Sequence, residues 1–179
     1  MKIGRSAFLL LVPLAFCGLA TAQPKHPHSS EQTHFSAEDA GVQKPVPIPA
    51  DVLAILGRDD LVRNVLEDQE LPGEKLPQSW FSASEIHLSS SSETDLVVVA
   101  EGPLAGGNVD VFWVFCATRQ GHELVLMAPE HDLVVKRARW MGHREIELMS
   151  ATAVQWSGVL LRWDGRKYAA YRTKSVPIK

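Results

Sequence analysis

Residues 94–128 read TDLVVVAEGPLAGGNVDVFWVFCATRQGHELVLMA. Apolar runs at Leu96–Ala100 and Val109–Ala117 flank Gly106-Gly107-Asn108, and Arg119-Gln120-Gly121 leads into a third run, Leu124–Ala128. Val, Phe and Trp dominate these runs, and Gly and Asn sit where hairpin turns need φ > 0. Strands so close in sequence leave no room for helical crossovers, so they pair antiparallel. Val111, Trp113 and Phe115 alternate with Phe112, Val114 and Cys116, and both sets are apolar. A strand of that kind is covered on both faces.

Working outward, the period of two continues to Arg172. The segments are SEIHLS (84–89), TDLVVVAEG (94–102), VDVFWVFCAT (109–118), HELVLMA (122–128), DLVVKRAR (132–139), REIELMSA (144–151), GVLLRWDG (158–165) and KYAAYR (167–172). In the later segments Ile146 and Leu148 alternate with Glu145 and Glu147, and Val159, Leu161 and Trp163 alternate with Leu160 and Arg162. Those strands have one wet face. Ile86 matches Val135, Asp95-Leu96 matches Glu145-Ile146, and VFWVF matches VLLRW, which suggests two similar four-stranded units. The fold class is α+β, with a meander of about eight strands as a sandwich, an open barrel or a pair of propeller-like blades.

Upstream, residues 49–73 have helical spacing: Val52, Ile55 and Leu56 share a face, and Val62 and Leu66 continue it. Asp51 is placed to cap the helix, Gly57 to kink it or break it into two short helices, and Pro72-Gly73 to end it. Its apolar face is expected on the first half of the β region, residues 74–173. Residues 23–48, rich in Pro, Ser, Gln and His without apolar period, predict a flexible linker. In such an arm His26, His28 and His34 lack the fixed geometry a metal site needs. Residues 174–179 predict a short tail.

Residues 1–22 have the form of a signal peptide: Lys2 and Arg5, an apolar core, then Ala20-Thr21-Ala22 before Gln23. Export to the periplasm or beyond follows. Acylation at Cys17 is disfavoured, because bulky Phe16 precedes it where a small residue is wanted. The apolar core is short for a membrane span, and no other segment predicts one. Removing residues 1–22 leaves 16 basic residues of 18 against 21 acidic ones, net −5. That balance disfavours nucleic acid and anionic membranes as partners. Cys116 is then the only cysteine, so no intrachain disulfide forms, and a buried strand residue is its expected role. A monomer is expected.

A polar loop (Ser89–Ser92, Glu93) running into Asp95-Leu96 and an aromatic strand resembles the FG-GAP or VCBS-like repeat in degenerate form. Residues 50–172 also resemble a family of exported bacterial β-rich proteins. The residues that carry this are Trp80-Phe81, Ala83-Ser84, His87-Leu88, Asp95–Val98, Phe112–Phe115, Trp163–Gly165 and Tyr168. The resemblance implies a β-rich exported fold and no particular activity. Calcium-binding versions of such loops supply several carboxylates, whereas this loop offers neutral serines with Glu93 and Asp95. A solvated turn that starts a strand is the better reading.

No catalytic or cofactor motif is legible, and His122-Glu123, His131-Asp132 and His143 with Glu145 lack metal-ligand spacing. Gly106-Gly107-Asn108 precedes no helix, so it is no phosphate loop. The candidate binding residues are Arg137, Arg139, Trp140, Arg144 and Trp156. Lys136–Trp140 serves either an anionic partner or as an edge strand whose charges block aggregation. Trp80, Trp140 and Trp156 lie near strand ends and, if they share a surface, suit carbohydrate or protein, while Trp113 and Trp163 belong to the core. The expected function is an exported, non-enzymatic binding domain for an envelope protein or cell-wall carbohydrate. A cell-envelope hydrolase and a structural accessory domain are the alternatives.

Overall fold

The computed structural model describes residues 31–39, 41–71, 76–89 and 93–177. The expected signal segment with Cys17, the start of the expected arm with His26 and His28, Pro72-Gly73 and Ser90–Ser92 lie outside the described residues. Nine strands and two α-helices follow in the order β1 (His34–Ser36), α1 (Ala50–Leu56), α2 (Asp60–Asp68), β2 (Phe81–Ile86), β3 (Asp95–Ala100), β4 (Asp110–Thr118), β5 (Gly121–Glu130), β6 (Asp132–Trp140), β7 (His143–Ala151), β8 (Gln155–Trp163) and β9 (Tyr168–Pro177). All eight expected strands are present, in two antiparallel sheets ordered β2-β3-β4-β5 and β1-β6-β7-β8-β9. The chain changes sheet across the single residue His131. Neither sheet closes, so the architecture is a sandwich of two meanders.

The alternation in β4 explains the layering. Phe112, Val114 and Cys116 meet Leu133, Val135, Ile146, Leu148, Leu161 and Tyr168 of the other sheet. Val111, Trp113 and Phe115 meet Val52, Leu56, Val62 and Leu66 of the helices, together with Phe81 and Trp80. Three layers result: helices, four-stranded sheet, five-stranded sheet. Each fully buried Val, Leu or Phe contributes about 1.5–3 kcal/mol through removal of apolar surface from water.

The helices are pinned by carboxylates as well as by packing. Gly57 separates α1 from α2, as its position predicts. The cap, however, is Asp59 rather than Asp51: Asp59 Oδ1 accepts from the Leu61 and Val62 N–H groups, and its Oδ2 accepts from Trp113 Nε1 at 3.1 Å. Asp51 lies inside the first turn of α1 after Pro49, and its side chain accepts from the His122 N–H at 2.7 Å instead. The side-chain hydrogen bond with the His122 ring, at 2.9 Å, holds the Asp51 carboxyl below the usual carboxylate range.

Three other expectations change. Over residues 31–39 and 41–48 the expected linker is part of the fold: β1 pairs with β6, Phe35 is 1% exposed in the inter-sheet core, and Val46 bridges to Ala83. One buried aromatic and a three-residue ladder anchor it, which no periodicity would reveal. The expected tail is strand through Pro177. Trp80 is buried beneath the helices rather than half-exposed.

Candidate functional site

Two faces of the four-stranded sheet and one of the five-stranded sheet are buried, which leaves the outer face of β6–β9 open. Glu145, Glu147, Leu160 and Arg162 project there because their neighbours Ile146, Leu148 and Leu161 point into the core. Cross-strand register turns these residues into ion pairs: Lys136 Nζ–Glu147 Oε2 at 2.7 Å and Arg162 Nε–Glu145 Oε1 at 2.6 Å. Hydrogen bonding to Glu145 raises the Arg162 pKa further, so that side chain stays cationic. Its guanidinium lies over both the Tyr171 ring, 3.5 Å from the centroid, and the Trp140 ring, at 4.5 Å. Trp140 and Tyr171 nonetheless remain 47% and 51% exposed. On the same face a groove of about 150 Å³ runs between Lys136, Glu147, Arg172 and Lys174, floored by Gly158 and Leu160, and Glu145, the partner of Arg162, also lines it. The Arg162 cation thus orders two aromatic rings whose flat faces stay about half exposed on this side of the sheet.

A second concavity, of about 570 Å³, opens beside the β6–β7 hairpin and is lined by Glu31, Thr33, His87, Arg137, Arg139 and Arg144. Its cause is a bulge. Val135 pairs with Ile146 and Arg139 with Arg144, so β6 advances four residues where β7 advances two. Buried Arg144 repairs the interrupted ladder: its Nε donates to Lys136 O, its Nη2 to Val135 O and its Nη1 to Glu31 Oε2. Arg139 Nη1 donates to the carbonyls of Leu88 and Gly142, both at 2.9 Å. Among the described residues the Arg137 guanidinium has no hydrogen bond or ion pair.

The structure therefore groups Arg137, Arg139 and Arg144 in one cleft, and places Trp140 with Arg162 on the open face. Trp156 stands apart. Its cross-strand partner Ala151 and Trp140's partner His143 lie eight steps apart along β7, roughly 26 Å at the usual strand rise. Trp156 packs edge-on against His131 instead, at 5.3 Å between centroids. Trp80, Trp140 and Trp156 thus share no patch, and Trp163 is only partly buried, stacked on His143. Sequence reasoning passed over Glu31, His87, Tyr171 and Arg162. Only the alternation of Arg162 with core residues hinted at an outward cation there.

Two further histidines lie against carboxylates, although His131 Nδ1 and Asp132 Oδ1 are buried without a hydrogen bond. His122 pairs with Asp51 at 2.9 Å, and His131 Nδ1 lies 3.1 Å from Asp132 Oδ1. Among the described residues no three His, Cys, Asp or Glu side chains could hold a metal ion together. Asp95, 2% exposed, accepts from the Leu88 and Ala117 N–H groups at 2.8 and 2.9 Å. The acid of the polar-loop motif thus binds main chain. Burial, reinforced by Asp95, pushes the Cys116 thiol up to about 12. Burial also raises Glu101, helped by the charge of Asp110, and raises Asp110 itself. Neither of these carboxyls borders the groove or the cleft.

No family model, curated protein or solved structure matches the chain. Fold and surface alone define its class: an α+β sandwich with one sheet face left open.

Proposed function

We propose that this chain is an exported, non-enzymatic binding domain that receives a cell-wall carbohydrate on the open face of its five-stranded sheet. The observation that carries this reading is the Trp140–Arg162–Tyr171 stack with its exposed rings, joined through the Arg162–Glu145 ion pair to the groove that Glu145 lines. Aromatic rings present flat apolar area to sugar faces, and the alternating charges of the groove offer hydrogen bonds to hydroxyl groups. The signal-like residues 1–22 support export to the compartment where such polymers lie.

Co-sedimentation of residues 23–179 with insoluble peptidoglycan tests the reading. The wild-type domain should deplete from the supernatant, and Trp140→Ala or Tyr171→Ala should reduce that depletion about tenfold. No depletion, or depletion unaffected by both substitutions, overturns the proposal. Capture of a specific envelope protein lost with the same substitutions would replace carbohydrate by a protein partner.

A further inference from the structure

Beyond the open face, we propose that the arginine cleft is a binding site for a tetrahedral oxyanion, the phosphate group of a small phosphorylated compound. The charge is unbalanced there: three guanidinium groups face one carboxylate, Glu31, among the described lining residues. Like charges gathered in a cleft repel one another, and an anion in their midst relieves that repulsion. The donors also converge. Arg144 has all three nitrogens engaged and serves as scaffold. Arg139 uses only Nη1 in the bonds described, which leaves Nε and Nη2 for a ligand. Arg137 has its whole fork free, and His87, half-exposed on the same wall, adds a ring nitrogen. Planar guanidinium forks reaching in from separate backbone positions suit an anion with several acceptor oxygens.

The bulge argues in the same direction. A regular β6 would need only a charged side chain to guard its free edge. Instead the strand interrupts its ladder over two extra residues, and Arg144 is buried to satisfy the carbonyls so released. Bulges that re-aim side chains recur beside binding sites. The cleft is concave and the rest of the chain after residue 22 is net acidic, so a soluble phosphate compound fits better than a phospholipid surface.

The test uses residues 23–179, ¹⁵N-labelled, with arginine side-chain signals followed by NMR. Titration with inorganic phosphate, and separately with glycerol 3-phosphate, should give saturable shifts of the Arg137 and Arg139 Nε signals, weakening as salt rises. Arg137→Ala should weaken binding at least tenfold with an unchanged Tm, because Arg137 has no described partner to lose. Arg137→Lys should retain part of it. Trp140→Ala should leave phosphate binding intact, which separates this site from the open face. Absence of saturable shifts, affinity unchanged in Arg137→Ala, or binding only to phosphatidylglycerol vesicles overturns the proposal.

Discussion

Asp95 is the sharpest place to test the account of this fold. Its carboxylate is buried and accepts two main-chain N–H groups, from Leu88 beyond the end of β2 and from Ala117 in β4. It thereby ties together three segments of the four-stranded sheet. Asp95→Asn keeps shape and volume but removes the charge and turns one oxygen into a donor. One charge-assisted hydrogen bond is lost, worth about 1.5–3 kcal/mol, and the amide NH₂ then faces a buried N–H, leaving one donor unsatisfied at about 1–3 kcal/mol. With partial relaxation the expected destabilisation is about 3–4 kcal/mol. Urea unfolding followed by tryptophan fluorescence measures it, with the slope m unchanged because the surface exposed on unfolding stays the same. A difference below about 0.5 kcal/mol would show that Asp95 is a surface-like acid and refute the reasoning. Calcium supplies a second check: if the carboxylate's oxygens are committed to main chain, added calcium should leave the wild-type Tm where it is. A calcium-dependent rise would restore the ligand-loop reading.

Two further outcomes follow from local geometry. Gly121 has φ +123°, and a Cβ there would lie 2.6 Å from Asp51 Oδ2; Gly121→Ala should therefore cost about 1–3 kcal/mol in denaturant unfolding, mostly backbone strain, with only a small part recovered in an Asp51→Ala background. Cys116, with its thiol pushed up to about 12, is thiolate in roughly one molecule in ten thousand at pH 8. It should resist a disulfide reagent in the native state and react promptly in denaturant, and rapid native labelling would contradict its burial.

The strands were legible because period-two alternation with Gly and Asn punctuation is a local signal, and β4's two apolar faces even located the helical layer. Three features were not. Phe35 anchors β1 alone, and one buried aromatic in a polar segment makes no period. The β6 bulge depends on register against β7, which nothing in KRARW itself reveals; Lys136 and Arg137 take opposite sides, and two extra residues bring Arg137 and Arg139 beside Arg144. Arg162 gains its meaning only from Trp140, Tyr171 and Glu145, which lie on three other strands.

The two meanders show how coverage decides what one kind of residue does. Asp95 opens β3 and Glu145 is the third residue of β7, each followed by an inward aliphatic residue, Leu96 and Ile146. In the first unit both faces are sealed, so no mobile cation can reach the acid, and a short side chain satisfied by main-chain N–H groups is the arrangement that avoids an unpaired buried charge. In the second unit the face is open, and a longer acid reaches across to Arg162, whose cation in turn orders Trp140 and Tyr171. The helical layer thus makes one sheet a scaffold, and its absence from the other leaves charge and aromatic area available to a ligand.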